Sequence, residues 1–332
     1  MPLDLVLLVL GLTLLVVGAD LLIFGAKVIA LRFGVSRFVV GLTVVAFGTS
    51  APELAGGIGM VLTDRSEMVV ATVLGSNIAN VCLILGLTAV IRPIPVTLRA
   101  VRNDVLIVIA VTLLAAALLL GGELARWESL ILCAGIVLYV VRAYRTRTPL
   151  DPAQVTRPVA KKRAINTEPA GEAADEPEPP QIAPWRSGGA VLLGTGLLAG
   201  GSAMLVSGAS GLASNLGVPE FVIALTMVAF GTSVPELATS LRAALKRESD
   251  IAIGNVLGSN VFNLLAVLGI CGLVAPLRVP IEAVTRDVWV ALAAAVACVP
   301  IFMTAGRITR AEGLFLLVGY IAYVVLIFAI GV

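Results

Sequence analysis

Apolar residues run in ten stretches along the chain, each long enough for one pass through a bilayer. A helix needs about 20 mostly apolar residues to cross the hydrocarbon core. The stretches fall at roughly 4–31, 36–61, 68–91, 103–121, 125–143, 186–214, 219–244, 250–274, 285–304 and 309–330. They are continuous and lack period-two alternation, which predicts helices and argues against the strands of a membrane barrel. Several are rich in Gly and Ala, which lets helices pack closely in lipid. The expected fold class is an all-α polytopic membrane protein of ten transmembrane helices. The first stretch has no basic segment before it and is longer than a signal-peptide core, so it is expected to be retained.

Composition agrees. Apolar residues make up 59% of the 332 and charged residues only 13%, too few to coat a water-soluble domain. A soluble enzyme, a disordered chain and a nucleic-acid binder are thereby excluded, and the implied surroundings are a lipid bilayer. The chain has no His, so an imidazole base or a His-ligated metal cannot be built. Its four cysteines, Cys82, Cys133, Cys271 and Cys298, form no CxxC, and neither a disulfide framework nor a thiolate metal site is indicated.

Counting basic residues by side orients the spans. The loops after spans 1, 3, 5, 7 and 9, with the adjoining helix ends, collect 19 of the 23 Lys and Arg; Arg65, Arg126, Arg278 and Arg286 remain on the other side. The positive-inside rule makes the basic side cytoplasmic and predicts both termini outside, in a plasma (inner) membrane. One hydrophilic stretch interrupts the pattern. Residues 144–185 hold eight of the 17 prolines, with Lys161, Lys162 and Arg163 before an acidic part. They read as a disordered cytoplasmic linker.

The chain is also a duplication. Residues 35–54, VSRFVVGLTVVAFGTSAPEL, and 218–237, VPEFVIALTMVAFGTSVPEL, are identical at 14 of 20 positions, at an offset of 183. The same offset relates LGSNIAN (74–80) to LGSNVFN (257–263) and Asp104 to Asp287; near the end it becomes 184, as in Tyr139 and Tyr323. This divides the chain into a five-helix repeat at 1–143 with its motif region at 41–80, the linker, and a second repeat at 186–332 with its motif region at 224–263. An odd number of spans per repeat makes the second half enter the membrane from the opposite side, the inverted architecture of many secondary transporters.

The most strongly repeated residues are polar ones inside the membrane. Glu53 and Glu236 sit mid-span, where an acid costs about 2.5–3.5 kcal/mol even on the lenient insertion scale. Ala46, Thr49, Ser50 and Glu53 share a helical face with the right spacing, as do Ala229, Thr232, Ser233 and Glu236; Ser76 with Asn80 and Ser259 with Asn263 are i, i+4 pairs. Pro52 and Pro235 cannot donate to the carbonyls of Gly48 and Gly231, and freed carbonyls in a membrane need partners, of which a bound cation is one. Each half therefore offers a carboxylate, hydroxyls, an amide and a broken turn, all oxygen donors of the kind hard cations take.

GTSAPE and GTSVPE, each followed by GSNxxN, resemble the two alpha-repeats of the cation/Ca²⁺ exchanger superfamily, in its prokaryotic sodium/calcium exchanger branch. The resemblance implies a ten-helix inverted fold, four central cation sites, Na⁺ and Ca²⁺ as transported ions, and no cofactor or catalytic residue. It implies a Ca²⁺ site of the Glu53 and Glu236 carboxylates with the Thr49 and Thr232 carbonyls. Na⁺ sites would use Ala229, Ser233 and Ser259 on one side and Ala46, Ser50 and Ser76 on the other, with Asn80 and Asn263 flanking the middle. The halves depart from equivalence where the first has Ala71-Thr72 and the second Gly254-Asn255. Asn263 stands where several relatives, K⁺-coupled ones included, carry Asp.

The expected activity is Na⁺/Ca²⁺ antiport by alternating access. H⁺/Ca²⁺ or K⁺-dependent exchange on the same fold is the nearest alternative, although the proton-coupled branch usually lacks the GTS-x-PE form. An intramembrane protease is excluded by the absence of His and of a GxGD-like pair. A non-transporting scaffold would leave two intramembrane acids unexplained. Asp20 is expected to cap or pair with a neighbouring helix, and Asp104 and Asp287 to be helix-terminal charges. Trp127 and Trp185 fit interfacial anchors.

Overall fold

The computed structural model describes residues 2–96, 98–145, 184–216, 220–303 and 306–330. They form ten long helices: α1 (Pro2–Phe33), α2 (Arg37–Leu62), α3 (Ser66–Ile91), α4 (Leu98–Leu119), α5 (Arg126–Arg145), α6 (Pro184–Asn215), α7 (Glu220–Leu245), α8 (Ser249–Val274), α9 (Ala283–Met303) and α10 (Arg310–Ile330). Among the described residues nine are long and apolar enough to cross a membrane, and α7, with 26 residues, is the tenth of spanning length. Apolar run length thus placed the helices to within a few residues. The largest difference is at α4, which begins at Leu98 rather than near 103, because a helix continues past the hydrocarbon edge with Arg99 and Arg102 on its first turns. The predicted linker lies outside the described residues except at its ends, where α5 runs on to Arg145 and α6 starts at Pro184, a residue suited to the first helical turn.

Short turns punctuate the helices for local reasons. Gly34, at a φ of 61°, ends α1, and the Ser36 hydroxyl caps α2 by accepting from the Val39 amide at 3.3 Å.

Two miniature strand pairs establish that the halves are inverted. β1 (Ile94–Pro95) follows α3, β2 (Glu123–Leu124) follows α4, β3 (Leu277–Arg278) follows α8 and β4 (Arg307–Ile308) follows α9. β1 pairs with β4, aligning Ile94 with Ile308, and β2 pairs with β3, aligning Glu123 with Arg278. The loop after the third helix of one half thus meets the loop after the fourth helix of the other. Those loops share a face only if the halves enter the membrane from opposite sides. The pairs are finished by equivalent bonds: Val96 donates to the Gly306 carbonyl at 3.1 Å and Val279 to that of Gly122 at 3.0 Å. Both glycines hold positive φ, 65° and 77°, a region that other residues enter only at a cost.

α1 and α6 run antiparallel with their backbones in close approach. A Cβ on Gly18 would lie 2.9 Å from the Gly194 carbonyl oxygen, and one on Gly11 would lie 2.7 Å from the Leu205 nitrogen. Glycine therefore sets this spacing, as small residues do between helices in lipid. Around the centre, α2, α3, α7 and α8 pack together, and α8 is buried over Ile251–Phe262. Outward faces carry Leu3, Val9, Leu138, Leu192 and Phe315, all exposed, as lipid contact requires.

Three spans widen into π-helical turns beside the polar centre, at Gly41–Val45 in α2, Ala79–Leu85 in α3 and Asn263–Val267 in α8. Such turns re-aim side chains and are frequent at functional sites; those in α3 and α8 contain Asn80 and Asn263.

Candidate cation site

Pro52 in α2 and Pro235 in α7 lie inside the two helices beside Glu53 and Glu236, where each leaves one backbone carbonyl without its helical donor. Both carboxylates are buried, at 3% and 1% exposure. The Ser50 hydroxyl donates to Glu236 Oε1 at 2.9 Å. Among the described residues, Glu53 Oε1 and Oε2 and Glu236 Oε2 accept no hydrogen bond, and the same holds for Asn80 Oδ1, Asn263 Oδ1 and Thr232 Oγ1. Six buried oxygens without partners, each an acceptor, leave a strong demand for positive charge, since an uncompensated buried carboxylate is very costly.

The amides are held by a crosswise arrangement that sequence reasoning missed. Asn80 Nδ2 donates to Asn260 Oδ1 at 3.0 Å, and Asn263 Nδ2 donates to Asn77 Oδ1 at 3.2 Å. Asn77 and Asn260 occupy equivalent places in the two GSN motifs. Each spends its oxygen on the opposite half's amide, which leaves the oxygens of Asn80 and Asn263 free. The signal was present, because GSN itself repeats at the 183-residue offset.

The serines are grouped differently from the expectation. Ser233 on α7 lies 3.4 Å from Ser76 on α3, and Thr49 on α2 lies 3.4 Å from Ser259 on α8. Ser76 therefore lies against Ser233, and Ser259 against Thr49. The physical reason is that α3 packs against α7 and α8 against α2, so each GSN serine faces the other half's GTS turn. Ala46 is buried at the start of this turn, and its carbonyl accepts from Thr49 at 3.2 Å. Ala229 lies within α7 at the equivalent position, and its side chain is outside the described residues.

The structure also shows what meets one of the carbonyls that proline frees. The carbonyl of Gly231 accepts from the Ser202 hydroxyl of α6, so this freed carbonyl has a partner within the protein. The equivalent of Ser202 in the first half is Ala19, which has no hydroxyl to give.

Outlying acids are paired. Asp20 bonds Arg242 on α7 at 2.7 Å and Lys246, one residue past its end, at 2.8 Å, a pairing of neighbouring helices. Asp104 meets Arg142 at 3.3 Å, while Asp287 accepts from Arg286 at 2.7 Å and from the Tyr323 hydroxyl at 3.1 Å. Asp104 ties α4 to α5 and Asp287 ties α9 to α10, so they are interhelical partners rather than simple helix-end charges. Trp127 and Trp185 are exposed at the starts of α5 and α6.

A cleft reaches Glu53 between α2 and α3. Gly56, Gly57, Met60, Val69, Thr72, Val73, Thr232 and Val267 line it with Glu53, so α7 and α8 close its inner end. The positions equivalent to its α2 and α3 walls are Thr239, Ser240, Ala243, Ala252, Asn255 and Val256. All six are buried, at 1% exposure or less. One side of the molecule thus carries a small cleft against Glu53, and the equivalent positions on the other side are packed shut.

Inverted repeats, a pair of proline-bearing helices and a buried oxygen-lined site shared between them define a secondary cation transporter. The sequence matches the family described as sodium/calcium exchanger protein over residues 3–145 and 187–329, and the chain belongs to that family of antiporters. It is 37% identical to CaxA of Alkalimonas amylolytica over 309 residues, 92% of each chain. It is 30% identical to the sodium/calcium exchanger MaX1 of Methanosarcina acetivorans, over 98% of this chain and 99% of that one. Among solved structures it is similar to the sodium-calcium exchanger NCX_Mj soaked with 10 mM Na⁺ and zero Ca²⁺, with a TM-score of 0.79, 27% identity, and coverage of 97% and 98% of the two chains.

Proposed function

We propose that this antiporter exchanges Na⁺ for Ca²⁺ by alternating access, with Ca²⁺ held between Glu53 and Glu236. The observation that carries the reading is the pair of buried carboxylates, one from each inverted repeat, with three of their four oxygens unpartnered. Two carboxylates balance one Ca²⁺, which takes six to eight oxygens. Carbonyls of Thr49 and Thr232 and the free amide oxygens of Asn80 and Asn263 extend the set. Na⁺ is assigned to one site with Ala229, Ser233 and Ser76, and to another with Ala46, Ser50 and Ser259. Membership of the family, and relatives named as sodium/calcium exchangers, support this choice of ions.

Coupling follows from electrostatics. Na⁺ and Ca²⁺ draw on the same two carboxylates, so they exclude one another. An empty site carries two charges and is expensive to seal from water, whereas a loaded site is neutralised. The protein therefore switches faces readily when loaded and poorly when empty, which turns two competing ions into counter-transported ones. With the basic side cytoplasmic, the cleft beside Glu53 opens outside, the turn at Asp64 is external, and both termini and the linker take the sides expected from sequence.

The test is ⁴⁵Ca²⁺ uptake into proteoliposomes loaded with Na⁺. Uptake should require an outward Na⁺ gradient and collapse when that gradient is dissipated. Equal uptake driven by a pH gradient without Na⁺ would overturn the assignment of Na⁺.

A further inference from the structure

The inverted symmetry matches each residue of the open cleft with one on the closed side, and one match is chemically unequal. Thr72 on α3 lines the cleft; its equivalent on α8 is Asn255. Asn255 is fully buried. Its Oδ1 accepts from the Thr49 hydroxyl on α2 at 3.1 Å, and its Nδ2 donates to Ser240 Oγ on α7 at 3.0 Å, with the Glu236 carbonyl at 3.5 Å. One side chain thereby ties α2, α7 and α8 together on the closed side of the carboxylates. Its neighbours differ as well: Thr239 and Ser240 stand where the open cleft has Gly56 and Gly57. An amide has a donor end and an acceptor end that reach different helices, whereas a threonine has a single hydroxyl.

We propose that Asn255 is the latch of the passage that is closed in this structure, and that it biases the protein towards the state open beside Glu53. It is a positioning residue, acting through Thr49, Ser240 and the Glu236 backbone, with no cation contact required. Opening the closed passage separates α7 from α2 and α8, which breaks these bonds and leaves a buried amide to be satisfied by water. Closing the cleft on the other face gains no comparable set from Thr72. The two otherwise equivalent halves therefore have unequal gates. This inference rests on the alternating-access reading.

The test uses the full chain in nanodiscs, where a hydrophilic thiol reagent meets both faces. In a background without Cys82, Cys133, Cys271 and Cys298, Met60→Cys reports the open cleft and Ala243→Cys the closed passage. Asn255→Thr should raise the reaction rate at position 243 and lower that at position 60, each by roughly fivefold or more, the scale of a typical coupling between sites. Thr72→Asn, which adds a latch to the open cleft, should move both rates in the same directions and serves if Asn255→Thr does not fold. Rates that rise together report loosening and overturn the latch, as do rates that stay put. If neither reporter responds to Na⁺ or Ca²⁺ before any change at position 255 or 72, the alternating-access reading fails instead.

Discussion

Ser50 reaches across the repeat boundary to give its proton to Glu236 Oε1 at 2.9 Å, while Glu53, the equivalent of Glu236, accepts nothing among the described residues. The two carboxylates are alike in sequence and unlike in surroundings. A hydrogen bond to a charged group contributes about 1.5–3 kcal/mol. Ser50→Ala should therefore weaken competition by Na⁺ for ⁴⁵Ca²⁺ binding several-fold, with a smaller effect on Ca²⁺ binding itself, measured by equilibrium binding in detergent across a Na⁺ series.

Glu53→Gln and Glu236→Gln should each abolish exchange while the protein still inserts, because one Ca²⁺ uses both charges. Binding also stabilises the folded state, by about 2.7 kcal/mol at a hundredfold excess over Kd. The unmutated protein should show a Ca²⁺-dependent rise in Tm that both variants lack. A variant that keeps near-normal exchange would rule out a shared site.

The tips of two equivalent turns, Asp64 and Arg247, hold positive φ of 57° and 66°. Inversion puts them on opposite faces. Single cysteines at these positions should be labelled from opposite sides, 64 from outside and 247 from inside, with position 174 of the predicted linker labelled from inside. Labelling of 174 in intact cells by an impermeant reagent would reverse the orientation.

Asn263 gives its NH₂ to Asn77 and keeps a neutral oxygen towards the site. With Asn80 opposite, the middle supplies no third negative charge, so a monovalent ion beside Ca²⁺ has nothing to balance it. Na⁺-driven ⁴⁵Ca²⁺ flux should persist with choline replacing K⁺ on both sides. Asn263→Asp should change the Na⁺ or proton dependence, because it adds charge and removes the donor to Asn77.

The α1–α6 contact makes a prediction about stability alone. Gly18→Ala places a methyl 2.9 Å from the Gly194 carbonyl oxygen, and overpacking of this kind costs about 1–3 kcal/mol. Gly200→Ala meets nothing within 4 Å and should be neutral or slightly stabilising. Thermal unfolding in detergent compares the two.

Much of this architecture was legible because membranes impose a simple rule. Hydrophobic length placed α1 to α10, and an odd span count with the 183-residue offset implied inversion. Glu53, Glu236, Asn80 and Asn263 were visible as polar residues in apolar surroundings. The offset shows which residues are equivalent, however, and not which touch. That is why Ser76 was grouped with Ser50 when it lies against Ser233, and why the exchange between Asn77 and Asn263 was missed. The π-helical turns shift hydrogen-bond register without a compositional trace. Ser202 could not be assigned to the Gly231 carbonyl before α6 was placed beside α7. The choice of which passage is open belongs to the conformation, and near-identical halves give little clue to it.

The short strand pairs have a consequence for ancestry. Each joins one half to the other through backbone bonds that do not depend on particular side chains, and the glycine seam adds a close approach of the α1 and α6 backbones. A five-helix polypeptide able to insert in both orientations would have found these contacts ready-made as a two-chain assembly. Two identical copies must carry the same residue at each equivalent position. Thr72 and Asn255 differ, so a gate that favours one face is available to this chain and denied to a symmetric pair.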